Sequence, residues 1–396
     1  MKVYLDNNAS TPIDSNVIKE MKPYIEEYYG NPSSGHWLGK KGKSAIENAR
    51  KQVADLIGAK FSEVIFTSGG SESNNHALKG IASAYGGKGN HIITSVIEHP
   101  AITNPCKYLE GEGFNVTYVG VDESGKVNLD EIKNAITDKT ILISIMHANN
   151  ETGTIQPISE IGKIARERNI YFHTDAAQSV GKIPIDVNEL NVDLLSIAGH
   201  KFYAPKGVGA LYIRDGVELE HLIHGANHEF GRRAGTENVA GIVALGKASQ
   251  IALENMDKYN KEIQRLRDLL YEKLKSVVDV KLNGHLTERL PNTLNLSFKG
   301  VDSTELLSRL DDIALSTGSA CHDNVKEPSK VLIEMNVPKD LALGAVRFSL
   351  GKFNTEDEIN YVVDKIRKTM CHHTLKPQDF SNLDGRQRFA SLRGVV

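Results

Sequence analysis

Four short segments carry side chains whose types and placement could do chemistry. Ser68-Gly69-Gly70-Ser71 follows an apolar run and opens a helical pattern. Paired glycines let backbone N–H groups approach an anion, and a helix N-terminus adds partial positive charge, so the segment suits a phosphate; it equally suits an ordinary turn and N-cap. Asp175 ends the run Phe172-His173-Thr174-Asp175. A carboxylate at the carboxyl end of a strand faces the ligand crevice of an α/β sheet and can pair with a protonated heterocyclic nitrogen, the plainer alternative being a helix cap. Lys201, in Gly199-His200-Lys201, also follows an apolar run. A desolvated lysine loses pKa and can form a Schiff base with an aldehyde, whereas most lysines are solvated surface charges. Cys321 lies in the polar stretch 315–330, with glycine and serine before it and a proline after. Such composition reads as a mobile surface loop that lets a thiol reach a substrate and then a partner; a lone cysteine is otherwise a small core residue.

The first three segments converge on one ligand. Aldehyde, ring nitrogen and phosphate are the three handles of pyridoxal 5'-phosphate, and each has a candidate partner at a strand end.

Those residues need strands whose carboxyl ends share one edge. The runs Glu63–Thr67, His91–Ser95, Asn115–Gly120, Thr140–Met146, Ile170–Asp175, Asp193–Ile197 and Val208–Ile213 alternate with helical patterns such as Ser71–Tyr85 and Ile158–Arg168. This predicts an α/β fold, a mostly parallel sheet covered by helices. A long helical periodicity from Val239 to Leu274 then bridges to a smaller α+β unit, with strands at Val278–Leu282, Thr293–Phe298 and Ala345–Leu350 and helices near Ser303–Leu310 and Glu356–Met370. The expected division is a large domain over 13–260, a small domain from 1–12 with 261–371 that carries the cysteine loop, and a tail over 372–396 that serves as a surface or partner-contacting arm.

Composition narrows the classes. Of 396 residues, 47 are basic and 50 acidic, a net charge of −3, which argues against a strongly basic nucleic-acid clamp. Forty per cent are hydrophobic and 24% charged, enough for a sizeable buried core and unlike a disordered chain. No run approaches the roughly 20 apolar residues of a membrane span, so a cytoplasmic protein is expected. Three cysteines cannot build a disulfide framework, and the 14 histidines have no metal-ligand spacing; Cys106 and Cys371 are read as structural.

The chain resembles the cysteine desulfurases of the NifS/IscS-like group, class-V aminotransferase relatives of fold type I. The motifs run from Tyr-Leu-Asp-Asn-Asn-Ala-Ser-Thr-Pro (4–12) and Gly-Asn-Pro-Ser-Ser (30–34) through Phe-Thr-Ser-Gly-Gly-Ser-Glu-Ser-Asn-Asn (66–75), Glu-His-Pro (98–100) and His-Ala-Asn-Asn-Glu-Thr-Gly (147–153). They continue with Arg-Arg-Ala-Gly-Thr-Glu-Asn (232–238), Ser-Thr-Gly-Ser-Ala-Cys (316–321) and Arg-Phe-Ser-Leu-Gly (347–351). The resemblance implies that Lys201 carries pyridoxal phosphate and that Asp175 pairs with its ring nitrogen. Gly70, Ser71 and His200 would hold the phosphate, Gln178 the ring hydroxyl, and Asn150 would contact cofactor and substrate. His99 would stack on the ring and carry a proton, Arg347 would clamp the substrate carboxylate, and Cys321 would be the persulfide-forming nucleophile. Thr236 would be lent by the other subunit, making a homodimer part of the site. The implied reaction converts L-cysteine to alanine, with sulfur passed to an iron–sulfur scaffold or a tRNA-thiolating enzyme, without direct contact to nucleic acid or membrane.

Three departures accompany the resemblance. Ala198 replaces a phosphate-contacting serine, and losing such a charge-assisted hydrogen bond is worth about 1.5–3 kcal/mol. Gly225-Ala226-Asn227-His228-Glu229 stands where Gly-Gly-Gly-Gln-Glu is usual. His322 and Asp323 follow Cys321, similar to selenocysteine lyases. A selenium-delivering lyase and a non-catalytic scaffold for a sulfur acceptor are therefore the alternatives.

Overall fold

The structure, a computed structural model, describes residues 1–317, 320–322 and 325–371, and of 320–322, 325 and 326 the backbone only. The seven runs read from the sequence form one seven-stranded sheet. Its order is Val64–Thr67, Gly209–Ile213, Leu194–Ala198, Tyr171–Asp175, Thr140–Ser144, His91–Ser95 and Asn115–Val119. Only Gly209–Ile213 runs against the others. The inner strands are buried on both faces, as apolar-rich sequences such as Thr140–Ser144, Leu194–Ala198 and Gly209–Ile213 require. One face packs a core including Phe66, Ile143, Phe172 and Leu245; the other packs Ile65, Ile92, Leu142 and Leu211 under the helices Gly70–Tyr85 and Pro100–Gly111.

A second core, including Leu5, Leu266, Leu296 and Phe348, lies on an antiparallel sheet of Ser316–Thr317, Ala345–Ser349, Thr293–Phe298 and Val280–Asn283. The 39-residue helix Val239–Val277 places Ile242 and Leu245 in the first core and Ile263, Leu266 and Leu270 in the second. The N-terminal strand Val3–Tyr4 pairs with Ile313–Ala314, and Asp6 bridges to Ser349. The chain then runs through Asn7–Ser10 toward the first sheet, where Thr11 N donates to the His200 carbonyl.

One element was not anticipated and one differs from expectation. Before residue 63 the chain forms a 21-residue helix, Trp37–Ile57; Gly39, Gly42 and a lysine-rich first half obscure its apolar stripe, although Ile46, Val53 and Ile57 are buried. The stretch read as a loop around Cys321 contains a short antiparallel pair, Ala320–His322 with Val325–Glu327, in which Cys321 lies opposite Lys326. The two segments pair through backbone N–H and C=O groups that every non-proline residue carries, so polar composition does not exclude the ribbon. The tail 372–396 lies outside the described residues.

Candidate active site

Because six strands run parallel, their carboxyl ends share one edge, and the segments after them converge. Gly70, Ser71, His99, Asn150, Asp175, Gln178, His200 and Lys201 line one cavity of about 420 Å³, and Arg347 reaches it from the second sheet. That volume lies in the usual range for a cofactor site.

Asp175 is the last residue of its strand. Its Oδ2 accepts from Asn74 Nδ2 at 2.7 Å and its Oδ1 from the backbone N–H of Ala177 at 2.9 Å. Both donors are neutral, which leaves the carboxylate able to pair with a cation in the cleft. Across the cavity, Lys201 Nζ donates to the carbonyls of Asn8 at 2.6 Å and Ala9 at 3.0 Å. Burial and the Arg347 charge push its amine down to about 8, against the pull of Asp175 and Asp6. His200, held through Nδ1 to Ser10 Oγ at 3.3 Å, is pushed down to about 4 by burial and then by Lys201, Lys206 and Lys182.

The helix Gly70–Tyr85 begins with Gly69 at φ 146°, a conformation open to glycine, and no side chain caps its first turn. A Cβ on Gly70 would come within 3.3 Å of Ala198 Cβ, so the absent side chain keeps this end of the cavity open. Beside it, Glu72 pairs with Arg233 at 2.9 Å; burial alone would raise the Glu72 carboxyl, but Arg233 and Ser68 hold it below its ordinary value.

His99 caps the helix Pro100–Gly111, its Nδ1 accepting from Ala101 N at 3.1 Å. That bond puts the proton of the neutral ring on Nε2. Burial lowers its pKa, with Lys201 acting in the same direction and Asp175 against it.

The cavity thus offers a nucleophilic amine, a carboxylate with no cationic partner among the described residues, an uncapped helix N-terminus and a guanidinium. This donor set fits the aldehyde, ring nitrogen and phosphate of pyridoxal phosphate.

Thr236 is exposed and is not on the wall of its own chain's cavity. The side chains of Cys321 and His322, and all of Asp323, lie outside the described residues. Cys106 is buried and its thiol is pushed up to about 12 by burial and then by Glu98 and Glu110. Cys371 is exposed rather than a core residue.

The sequence reading passed over several residues here. Asn74 and Asn8 sit inside motifs it quoted, and Asn8 collects contacts from Lys201, Gln178, Lys182, Asn150, Asn292 and Thr293. Glu98, in Glu-His-Pro, is fully buried, with Oε1 accepting from Ser95 Oγ at 2.7 Å and Met146 N at 2.9 Å. Burial, with a smaller contribution from Asp175, pushes its carboxyl up to about 8.

The aminotransferase class-V family model matches residues 3–362. The chain is 53% identical over 370 residues to the cysteine desulfurase IscS of Dictyoglomus turgidum, covering 93% of this chain and 94% of that one. It is similar to the solved structure of a NifS-like protein, with TM-score 0.89 and 40% identity over 94% of this chain and 100% of that one. It is also similar to SspA in complex with cysteine, with TM-score 0.80 and 40% identity over 90% of this chain and 100% of that one. With a family match along nearly the whole chain and a relative identical at half its positions, the chain belongs to the aminotransferase class-V family, among its pyridoxal-phosphate-dependent cysteine desulfurases.

Proposed function

We propose that this chain desulfurates L-cysteine, releasing L-alanine and leaving a persulfide on Cys321 for transfer to an acceptor. The observation that carries the reading is the meeting of Lys201, Asp175, the uncapped helix start at Gly70 and Arg347 on one cavity. Asp175 would hold the cofactor's ring nitrogen, Gln178 its ring hydroxyl, and Gly70, Ser71 and His200 its phosphate, with His99 against the ring. When bound, pyridoxal phosphate supplies an aldehyde that receives an amine and a protonated ring that stabilises an electron pair left on the substrate Cα.

The chain's own groups do the rest. Arg347 holds the substrate carboxylate with a planar fork of donors, beside Asn150. Lys201, with its amine near pKa 8, takes the Cα proton at Nζ. His99, protonated on Nε2, faces the cavity as a donor to the departing sulfur or the alanine fragment. The Cys321 thiolate attacks the substrate sulfur; an S–S bond forms, the C–S bond breaks, and its electron pair stays with the alanine fragment, which is then protonated.

Thr236, exposed on its own chain, suits a phosphate contact lent across a homodimer. An iron–sulfur scaffold or a tRNA-thiolating enzyme as acceptor, and a cytoplasmic location, belong to the same reading; no helix among the described residues is long and apolar enough to cross a membrane.

The test is Cys321→Ala. After incubation with cysteine, wild-type protein should carry one extra sulfur on the Cys321 peptide by mass spectrometry, while the variant keeps the visible absorbance of bound cofactor and forms no persulfide. Sulfur transfer by the variant at the wild-type rate removes Cys321 from the mechanism.

A further inference from the structure

Behind the cavity wall sits a lysine that the mechanism above does not use. Lys182 is buried, four residues past Gln178, and its Nζ donates to Gln178 Oε1 at 2.9 Å and to Asn8 Oδ1 at 3.2 Å. Both partners are neutral carbonyl oxygens. Burial, then the like charges of Lys201 and Arg347, hold its pKa well below the ordinary lysine value. A neutral amine still has N–H donors, so the two bonds do not depend on its charge.

The contacts around Gln178 admit one orientation of its amide. Nε2 donates to the Asn8 carbonyl at 3.0 Å, and Oε1 receives Lys182. Turning the amide over would set donor against donor and acceptor against acceptor. The same Asn8 carbonyl receives Lys201 Nζ at 2.6 Å, and the Asn8 side chain is held further by Asn292 Nδ2 at 2.9 Å and by its own bond to Thr293 Oγ1 at 2.9 Å. Lys182 therefore ties together the turn after Asp175 and the N-terminal strap on which the amine of Lys201 rests.

We propose that Lys182 is a positioning residue of the cofactor site: it pins the Gln178 amide with Nε2 on the Asn8 carbonyl and holds in place the Asn8 peptide that receives Lys201. The inference rests on the cofactor reading of the cavity.

The experiment titrates pyridoxal phosphate into apoprotein and follows the visible spectrum. Lys182→Met, similar in length but without donors, should weaken binding about tenfold, the size of one modest hydrogen-bond loss, and shift the visible maximum. Lys182→Gln, which keeps a donor, should recover part of both. In a Gln178→Ala background, Lys182→Met should cost measurably less on a logarithmic scale than in the wild type, because the part of its effect that passes through Gln178 is gone and only the part through Asn8 remains. Thermal melting establishes that each variant is folded; if Lys182→Met does not fold, Lys182→Gln carries the same comparison with a smaller expected loss. Wild-type protein that takes up no pyridoxal phosphate overturns the cofactor reading and this inference together. Wild-type uptake alongside variants of unchanged affinity and spectrum, or a full loss in the Gln178→Ala background, overturns the inference alone.

Discussion

Arg347 and Asp6, 341 positions apart, form an ion pair at the mouth of the cavity, with Nη2 donating to Oδ1 at 2.7 Å. Arg347 Nη1 donates to the Asn150 carbonyl at 3.1 Å, and its buried Nε has no hydrogen-bond partner among the described residues. Asp6 thus fixes one arm of the fork while the guanidinium remains on the cavity wall. Arg347→Lys keeps the charge and loses the planar geometry. It should raise KM for cysteine about 10–100-fold, the cost of losing one charge-assisted hydrogen bond, with a smaller change in kcat. Steady-state alanine production measures the split, and a loss confined to kcat contradicts the carboxylate role.

The Lys201 amine, at about 8 against 10.5 for an ordinary lysine, is half neutral near pH 8 in the apoprotein. Trace acetylation of apoprotein across pH, read peptide by peptide, should show Lys201 labelling with a midpoint near 8, well below that of exposed lysines. Arg347→Met removes the neighbouring like charge and should move the midpoint upward. A midpoint in the ordinary lysine range means the cavity does not activate this amine.

Glu98 titrates in the opposite sense. Its folded-state value of about 8 lies above the ordinary 4.5, so the folded state favours the proton. The stability this contributes is present below about pH 4.5 and is lost as pH rises toward 8. Glu98→Gln imitates the neutral carboxyl and should abolish this loss. The difference in urea midpoint between variant and wild type should therefore grow from pH 5 to 8 in favour of the variant, and a difference flat with pH contradicts it.

Arg50 and Glu229 form a buried bidentate pair, at 2.6 and 2.8 Å, with the guanidinium 4.8 Å from the ring centres of both Phe66 and Phe230. The pair holds Glu229 and Phe230 at φ 49° and 59°, conformations that disfavour both residues, and so sets the course of the segment from His228 to Thr236. His228 Nδ1 in turn accepts from Gly235 N at 3.3 Å. Arg50→Met leaves a buried carboxylate without its cation and should cost about 3–5 kcal/mol in denaturant unfolding, with much of the loss recovered by adding Glu229→Leu. A cost below about 1 kcal/mol would mean that the pair is not what holds this turn.

Much of the large sheet was legible because its signals are local. His91–Ser95 carries β-branched residues at three of its five positions and Thr293–Phe298 alternates polar with apolar side chains, and the ends of both runs coincide with the observed strands. Glycine and polar residues after Thr67 and Ala198, and the carboxylate of Asp175 itself, mark strand ends, and parallel strands carry all such ends to one edge. The helix Trp37–Ile57 was hidden because two glycines and three lysines fill its first half, and the pairing of Ala320–His322 with Val325–Glu327 because polar ribbons share the composition of loops.

The residue types needed for the chemistry, an amine, a carboxylate, a glycine-opened helix and a thiol, were therefore determined by sequence alone, each within a motif of a few neighbours. Tertiary structure decided what those groups experience: Arg347 near enough to lower the Lys201 amine, Asp6 to hold Arg347, and Asn8 as the junction for Lys182, Gln178 and Lys201. Electrostatic and hydrogen-bond energies depend on distances between atoms rather than separation along the chain, and those distances exist only once the second sheet and the N-terminal strap have packed against the first.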